Sequence, residues 1–143
     1  MSDFDAAAFE ENLIADMRAH DGAVTTGSLT GHPLLIMSSR GAKSGEPRRA
    51  ILTFTRDGAD YIVAGSASGS PTDPSWLSNV QANPAVTIEA EGRTFEATGR
   101  VVDDAEHERL WARHVAALPH FAEYPEKAGR TIPVVRLTPN SED

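Results

Sequence analysis

Short apolar runs alternate with polar residues along most of this chain, and residues that favour turns separate them. An Asp-Gly pair at residues 57–58 and a Glu-Gly pair at residues 91–92 each stand between two apolar runs, which is the pattern of a two-residue hairpin turn. The first turn predicts that residues 50–55 pair with residues 61–65. Strands are predicted over residues 33–39, 48–55, 61–65, 85–90, 93–102 and 131–138.

An N-terminal helix is predicted over residues 4–19, where apolar side chains recur at helical spacing and acidic ones lie elsewhere. An Asp-Gly pair then ends the pattern, so residues 1–22 form an N-terminal helical segment. The predicted apolar face consists of Phe9, Leu13, Ile14 and Met17.

Two further helices follow. A short one is predicted from Pro74, whose fixed φ suits the first helical position, with Thr72 or Asp73 as its N-cap. A longer one covers about residues 105–118 and is capped by the Asp-Asp pair at residues 103–104. Its predicted inner face consists of Leu110, Trp111, His114, Val115 and Leu118.

Hairpins outnumber strand–helix–strand units in this pattern, which favours an antiparallel sheet over a doubly wound one. The prediction is a mainly β (α+β) fold, a small barrel or roll of about six mostly antiparallel strands with three flanking helices. The length suits a single domain over residues 1–143, and the last residues, 139–143, are predicted to be a disordered tail.

The amino-acid composition limits the classes of binding partner and of chemical site that can be expected. The formal net charge is -8 and the pI is near 5.0, so nucleic acid and anionic membrane surfaces, which need a broad positive face, are not expected. The chain contains no cysteine, which excludes disulfides, thiol nucleophiles and cysteine metal sites. No apolar run approaches the roughly 20 residues of a membrane-spanning helix, and the acidic N-terminus lacks a signal core. A cytoplasmic location is predicted.

Residues 38–50 run against this acidic background, because they hold four of the chain's thirteen basic residues and one acid. Two glycines and a proline in the same stretch favour a tight turn between apolar runs. A hairpin tip that combines cationic side chains with backbone N–H groups suits a small anion, and a solvated tip without a ligand is the alternative. The basic residues are Arg40, Lys43, Arg48 and Arg49.

A second loop, residues 65–70, offers glycines and serine hydroxyls directly before the short helix at Pro74. The N-terminus of a helix favours anions, so the two loops would frame one anionic ligand if they reach the same end of the barrel. The loop matches neither the Walker pattern nor the dinucleotide fingerprint, and a plain flexible loop is the alternative.

Side-chain machinery for catalysis is not evident. The five histidines are scattered without metal-ligand spacing, so no metal site is predicted. A Gly-x-Ser-x-Gly elbow and paired catalytic acids are also missing from the sequence. An enzyme of this composition would take its reactive atom from a bound cofactor. Trp76 suits either the core or the cover of a ring system, and Phe121 and Tyr124 suit either a substrate wall or satellite packing.

Four stretches taken together carry a family resemblance: Lys-Ser-Gly-Glu-Pro-Arg at 43–48, Arg-Asp-Gly at 56–58, Pro-x-Trp-x-x-Asn at 74–79 with Asn-Pro at 83–84, and Arg-Thr-Ile-Pro at 130–133. In this order they resemble the deazaflavin-dependent nitroreductase family, over residues 33–139. The resemblance implies a split β-barrel related to the FMN-binding ones. It also implies a reductase that passes hydride from the C5 carbon of reduced 8-hydroxy-5-deazaflavin, coenzyme F420, to a quinone, an activated enone or a nitro compound.

The resemblance also implies a set of site residues. Tyr124 would lie over the substrate, and Lys43, Ser44 and Arg48 of the basic loop would hold the phosphate of the coenzyme tail. Gly45 and Arg49 of the same loop belong to the predicted cofactor-binding set. Backbone contacts along the coenzyme ring would come from Ala50, Ile51 and Leu52 and from Ala64 to Ser66. Ser75, Trp76 and Asn79, at the start of the short helix, would complete the cofactor site.

The chain departs from the family pattern at several positions. Some members carry a lysine where this chain has Ala67, and Arg49 or Arg40 is the candidate substitute for that charge. Leu118 and Phe121 stand where some relatives have tyrosines. Two other functions fit the same loops: a split-barrel oxidoreductase that binds FMN, and a non-catalytic carrier or sensor of the deazaflavin. The predicted partner is a small-molecule electron acceptor, and the predicted assembly is a monomer or a homodimer.

Overall fold

The computed structural model describes residues 6–25, 30–65 and 74–140. The helices are α1 (Ala6–Ala19), α2 (Ser75–Ala82), α3 (Asp104–Ala117) and α4 (Tyr124–Ala128), and a 3₁₀ helix covers Pro119–Glu123. The strands are β1 (Leu34–Arg40), β2 (Pro47–Thr53), β3 (Thr55–Asp57), β4 (Asp60–Ala64), β5 (Ala85–Ala90), β6 (Arg93–Val101) and β7 (Val134–Pro139).

The described strands form one antiparallel sheet in the order β2-β1-β5-β6-β7-β4-β3. Its two edge strands, β2 and β3, are consecutive in the chain and are separated by Phe54 alone. Because one residue cannot span a flat sheet of this width, the sheet must curl until its two edges meet at Phe54. The result is a half-barrel flanked by helices, which confirms the predicted fold class.

The prediction of one strand over residues 48–55 is wrong in one respect, because the strand breaks at Phe54. Residues before the break pair with β1, as Ala50 does with Met37, and only Thr55–Asp57 pairs with β4. The Phe54 N–H donates to the carbonyl of Pro33 at 3.0 Å, and its ring packs edge-on against Tyr61. These contacts turn the chain from one edge of the sheet to the other.

The curled sheet has two covered faces. Its inner face holds the main core, in which Leu35, Val63 and Leu137 pack with Trp76 and Leu77 of α2. Helix α1 covers the outer face at β1 and β2, and the segment from α3 to α4 covers the outer face at β4 and β7. The period-two alternation seen in the sequence therefore separates two packed faces at both ends of the sheet.

Several helix predictions are refined by the structure. Asp103 caps α3 as predicted, and its carboxylate accepts from the N–H of Glu106 at 2.9 Å. Pro74 is the N-cap of α2, not its first residue, and the predicted caps Thr72 and Asp73 lie outside the described residues, as does the side chain of Phe9.

The structure adds α4, a helix that is not among the three predicted from the sequence. The closing strand also runs further than predicted. Pro139 pairs with Ala97, and the N–H of Asn140 donates to Glu96, so these two residues are not part of a disordered tail. Among the described residues, every helix is too short or too polar to span a membrane.

Candidate functional site

The basic loop between β1 and β2 is a tight turn held by its own backbone. The N–H of Gly41 donates to the carbonyl of Glu46 at 2.8 Å, and the N–H of Gly45 donates back to Gly41 at 3.0 Å. Gly45 has a φ of +73°, which side-chain-bearing residues rarely adopt. The turn is therefore built as the sequence predicts, with glycine where the backbone requires it.

The side chains of this loop follow the turn. Ser44 accepts from the N–H of Glu46 at 3.1 Å, and the Arg48 guanidinium lies 3.5 Å from the same hydroxyl. Arg40 donates to the carbonyl of Gly45 at 3.2 Å and so helps to stabilise the turn. Lys43, Ser44 and Arg48 are exposed and share the loop, and the structure brings together these three predicted phosphate-binding residues.

Helix α2 is tied directly to this loop. The side-chain oxygen of Asn79 accepts a 2.9 Å hydrogen bond from the N–H of Ala42, and Asn79 is buried. Trp76 is buried in the inner core, whereas Ser75 is exposed in the first turn of the helix. The basic loop and the short helix singled out in the sequence thus meet at one end of the half-barrel through a specific contact.

Strand β2 is an edge strand, and no strand of the described ranges pairs with its outer side. The bond from Phe54 to Pro33 extends the β1–β2 ladder, in which hydrogen-bonded pairs recur at every second residue. Ala50 and Leu52 therefore bond inward to β1, while the N–H and C=O of Ile51 point outward. The edge offers a backbone donor and acceptor beside the basic loop.

Alternation along β2 also separates the side chains of the site. Ala50 and Leu52 pack, half-buried, against the inner core. Ile51 packs against α1 on the other face, and so does Arg49, whose guanidinium lies 3.5 Å from both Glu10 and Glu11. The structure therefore does not bring the Arg49 side chain to the basic loop.

The second predicted loop begins at Gly65 and is anchored there. The N–H of Gly65 donates to the carbonyl of Pro133 at 2.8 Å, and Arg130 donates to the Gly65 carbonyl at 3.1 Å. A Cβ at Gly65 would lie 3.5 Å from Pro74, so the loop leaves the sheet against the start of α2. Ser66 and Ala67 lie outside the described residues.

Tyr124 is the first residue of α4 and is half-buried. Its ring lies 5.1 Å from that of Phe121, and both belong to a cluster that includes Ala64 at the end of β4. Tyr124, the residue predicted to lie over the substrate, therefore packs in the same cluster as the residue that precedes Gly65. The sequence carries a signal for α4, because Pro125 and Gly129 mark the beginning and end of a helix.

The groups whose pKa values shift most lie outside the basic loop. Hydrogen bonds from Arg109 and Arg136 hold the pKa of the Asp57 carboxyl well below its usual range. Burial, followed by a hydrogen bond to Glu91, raises the pKa of the Tyr61 hydroxyl.

The described part of the chain holds no group of three or more potential metal ligands. A cavity of about 170 Å³ lies between α1 and the β5–β6 turn, at the end of the sheet away from the basic loop, and includes Met17, Ile36 and Gly92.

Comparison with known proteins places this architecture in a family. A family model described as "F420H(2)-dependent quinone reductase" matches residues 12–139. An F420H(2)-dependent quinone reductase of Mycobacterium tuberculosis is 34% identical over 132 residues, 85% of this chain and 89% of that protein. A solved structure of an F420-H2-dependent reductase (FDR-A) is 35% identical with a TM-score of 0.68, covering 73% of this chain and 93% of that one. Another, described as a domain-swapped dimer, is 28% identical with a TM-score of 0.70, covering 93% and 99%.

These matches confirm the resemblance drawn from the four sequence stretches and favour the deazaflavin over FMN. The matched residues run from α1 to the end of β7, so they include the basic loop, the open edge of β2 and the helices that flank it. The chain belongs to the F420H(2)-dependent quinone reductase family.

Proposed function

We propose that this protein transfers hydride from reduced coenzyme F420 to a quinone. The observation that carries the proposal is the open backbone edge of β2 beside a cationic loop, in a chain that belongs to this family. A flat ring with an anionic tail needs both features. The edge suits the ring, and the loop suits the tail.

The residues present fit such a coenzyme. Lys43 and Arg48 supply positive charge, and the Ser44 hydroxyl lies between the Arg48 guanidinium and the loop backbone. Charge-assisted hydrogen bonds to phosphate are roughly twice as strong as neutral ones, so this cluster is the preferred place for the tail. The outward N–H and C=O of Ile51 match the polar edge of a flavin-like ring.

The bound coenzyme supplies a hydride donor, which no side chain of this protein can provide. The protein's contribution is to hold two rings in contact and to exclude water. Ala50 and Leu52 are half-buried and give the site an apolar surface that is continuous with the core containing Trp76. Tyr124, whose ring packs edge-on against Phe121, would lie over the electron-poor acceptor ring, as the family resemblance implies. Orientation of this kind accounts for a large part of the rate in reactions without acid–base machinery.

Anaerobic oxidation of the reduced coenzyme by a water-soluble quinone, followed by absorbance, tests the proposal. We expect turnover that depends on the protein and saturates with quinone. An enone and a nitro compound run in parallel define the acceptor class. Tight coenzyme binding without turnover of any acceptor would contradict the proposal and identify a carrier or sensor.

A further inference from the structure

His114 is a buried polar residue that the proposed reaction does not use. It lies in α3, is fully buried, and its Nδ1 is joined to the Thr55 hydroxyl by a 2.9 Å hydrogen bond. An apolar residue of similar volume would fill this position without the cost of burying an imidazole. A directional bond to β3 is what the histidine adds.

A series of ring contacts runs from His114 to the predicted acceptor wall. The Phe121 ring stands edge-on to His114, with centroids 4.6 Å apart and an interplanar angle of 88°. Tyr124 in turn stands edge-on to Phe121, at 5.1 Å and 73°. Trp111 flanks the series at 6.3 Å from His114 and 6.4 Å from Phe121. Edge-to-face contacts favour particular ring orientations, so each ring restricts the next.

The first member of the series, His114, is hydrogen-bonded to β3, the strand that follows β2 in the chain. Thr55 follows Phe54, the residue at which edge strand β2 gives way to β3. The bond from Thr55 to His114 therefore joins the chain just after the end of β2, the edge proposed for the coenzyme, to the helical segment that carries Tyr124. At its other end this segment is held by the bond from His107 to the Ile132 carbonyl, at 2.7 Å.

We infer that His114 is a positioning residue for the acceptor, acting through Phe121 to set the orientation of Tyr124 relative to the edge of β2. This inference rests on the proposed function for its kinetic consequences. The mechanical part does not, because the hydrogen bond and the ring contacts exist without coenzyme or acceptor.

Substitutions at both ends of the hydrogen bond test the inference. Thr55→Val removes the hydroxyl and keeps the branched shape, and His114→Leu removes the imidazole. His114→Asn places an amide close to the position of Nδ1 and should restore the bond. Leu34→Ala, in the cluster under α1, is the matched control for general loss of stability.

In Thr55→Val and His114→Leu we expect the acceptor KM to rise about tenfold, with the coenzyme Kd changed less than about twofold. Discrimination between small and bulky quinones should fall in both variants, and His114→Asn should recover most of it. Leu34→Ala should leave the KM and the discrimination unchanged. An unchanged acceptor KM in both variants, measured on folded protein, would overturn the inference.

Hydrogen exchange on the protein without ligands separates this inference from the proposed function. In Thr55→Val, amides of residues 119–130 should exchange about tenfold faster, and those of β1 should not change. If the wild-type protein reduces no quinone but this exchange effect is present, the proposed function fails and the positioning contact stands. If exchange in residues 119–130 is unaffected, the positioning role is wrong whatever the activity.

Discussion

The side-chain oxygen of Asn79 accepts a 2.9 Å hydrogen bond from the backbone N–H of Ala42, joining two segments that lie 37 residues apart in the chain. Asn79 is 8% exposed, so the bond is partly shielded from water. Ala42 directly precedes Lys43 in the basic loop. The family resemblance implies that Asn79 contacts the coenzyme, whereas in the structure its side-chain oxygen holds the loop against α2.

Asn79→Ala should therefore weaken coenzyme binding and stability together. Leaving the Ala42 N–H without a partner costs about 1–3 kcal/mol, and the loop loses its fixed position. Asn79→Asp keeps an acceptor oxygen and should retain most of the stability. Chemical denaturation and coenzyme titration measure the two effects. Ser78→Ala, exposed on the same helix, is the control, and a wild-type affinity in Asn79→Ala would contradict this role.

Gly99 allows α2 to lie close to the sheet. A Cβ built at this glycine of β6 would lie 2.6 Å from Val80 and 3.3 Å from Leu137. Gly99→Ala should destabilise the fold by about 1–3 kcal/mol, because overpacking forces neighbouring atoms to move. Urea unfolding measures the change, with Thr94→Ala on the exposed part of β6 as the control. Equal midpoints for the two variants would show that α2 has room to shift.

Asp57 is the centre of an ionic cluster that fastens α3 to the sheet. It accepts hydrogen bonds from Arg109 and Arg113 of α3 and, at 2.7 Å, from Arg136 of β7. The bonds from Arg109 and Arg136 lower the pKa of Asp57 in the folded protein. The stability they contribute is thus present above the unfolded-state pKa of about 3.9 and is lost as the pH falls below it.

Asp57→Asn should cost about 1–2 kcal/mol at pH 7, because three guanidinium groups lose their shared carboxylate. At a pH near 3 the difference between variant and wild type should shrink. Urea unfolding at both pH values measures this, with Glu108→Gln, an exposed change on the same helix, as the control. A difference that stays constant with pH would exclude an ionic origin.

Much of the fold follows from local pattern. The β5–β6 hairpin and the Asp103 cap are encoded by neighbouring residues, and both form as predicted. The break at Phe54 is not predictable in this way, because the strand-like pattern continues through it. That break is set by a contact with Pro33, distant in sequence, and by closure of the sheet, neither of which leaves a local signal.

Part of the candidate site is likewise predictable from the sequence, and part of it is not. Lys43, Ser44 and Arg48 share one tight turn, and their proximity is predictable from sequence. The period of two along β2 already implies that Arg48 and Arg49 face opposite ways. Which of the two faces α1 is clear only from the pairing of Arg49 with Glu10 and Glu11.

Arg48 and Arg49 provide the sharpest test of the proposed coenzyme site, because they are adjacent, carry the same charge and point to opposite faces. The measurement is a fluorescence titration with oxidised coenzyme F420, run beside FMN, on wild type, Arg48→Ala and Arg49→Ala. The wild type should bind F420 in preference to FMN. Arg48→Ala should lose about 1.5–3 kcal/mol of F420 affinity, roughly 10- to 150-fold, and Arg49→Ala much less. Equal losses in the two variants, unchanged affinity in Arg48→Ala, or a preference for FMN would contradict the account.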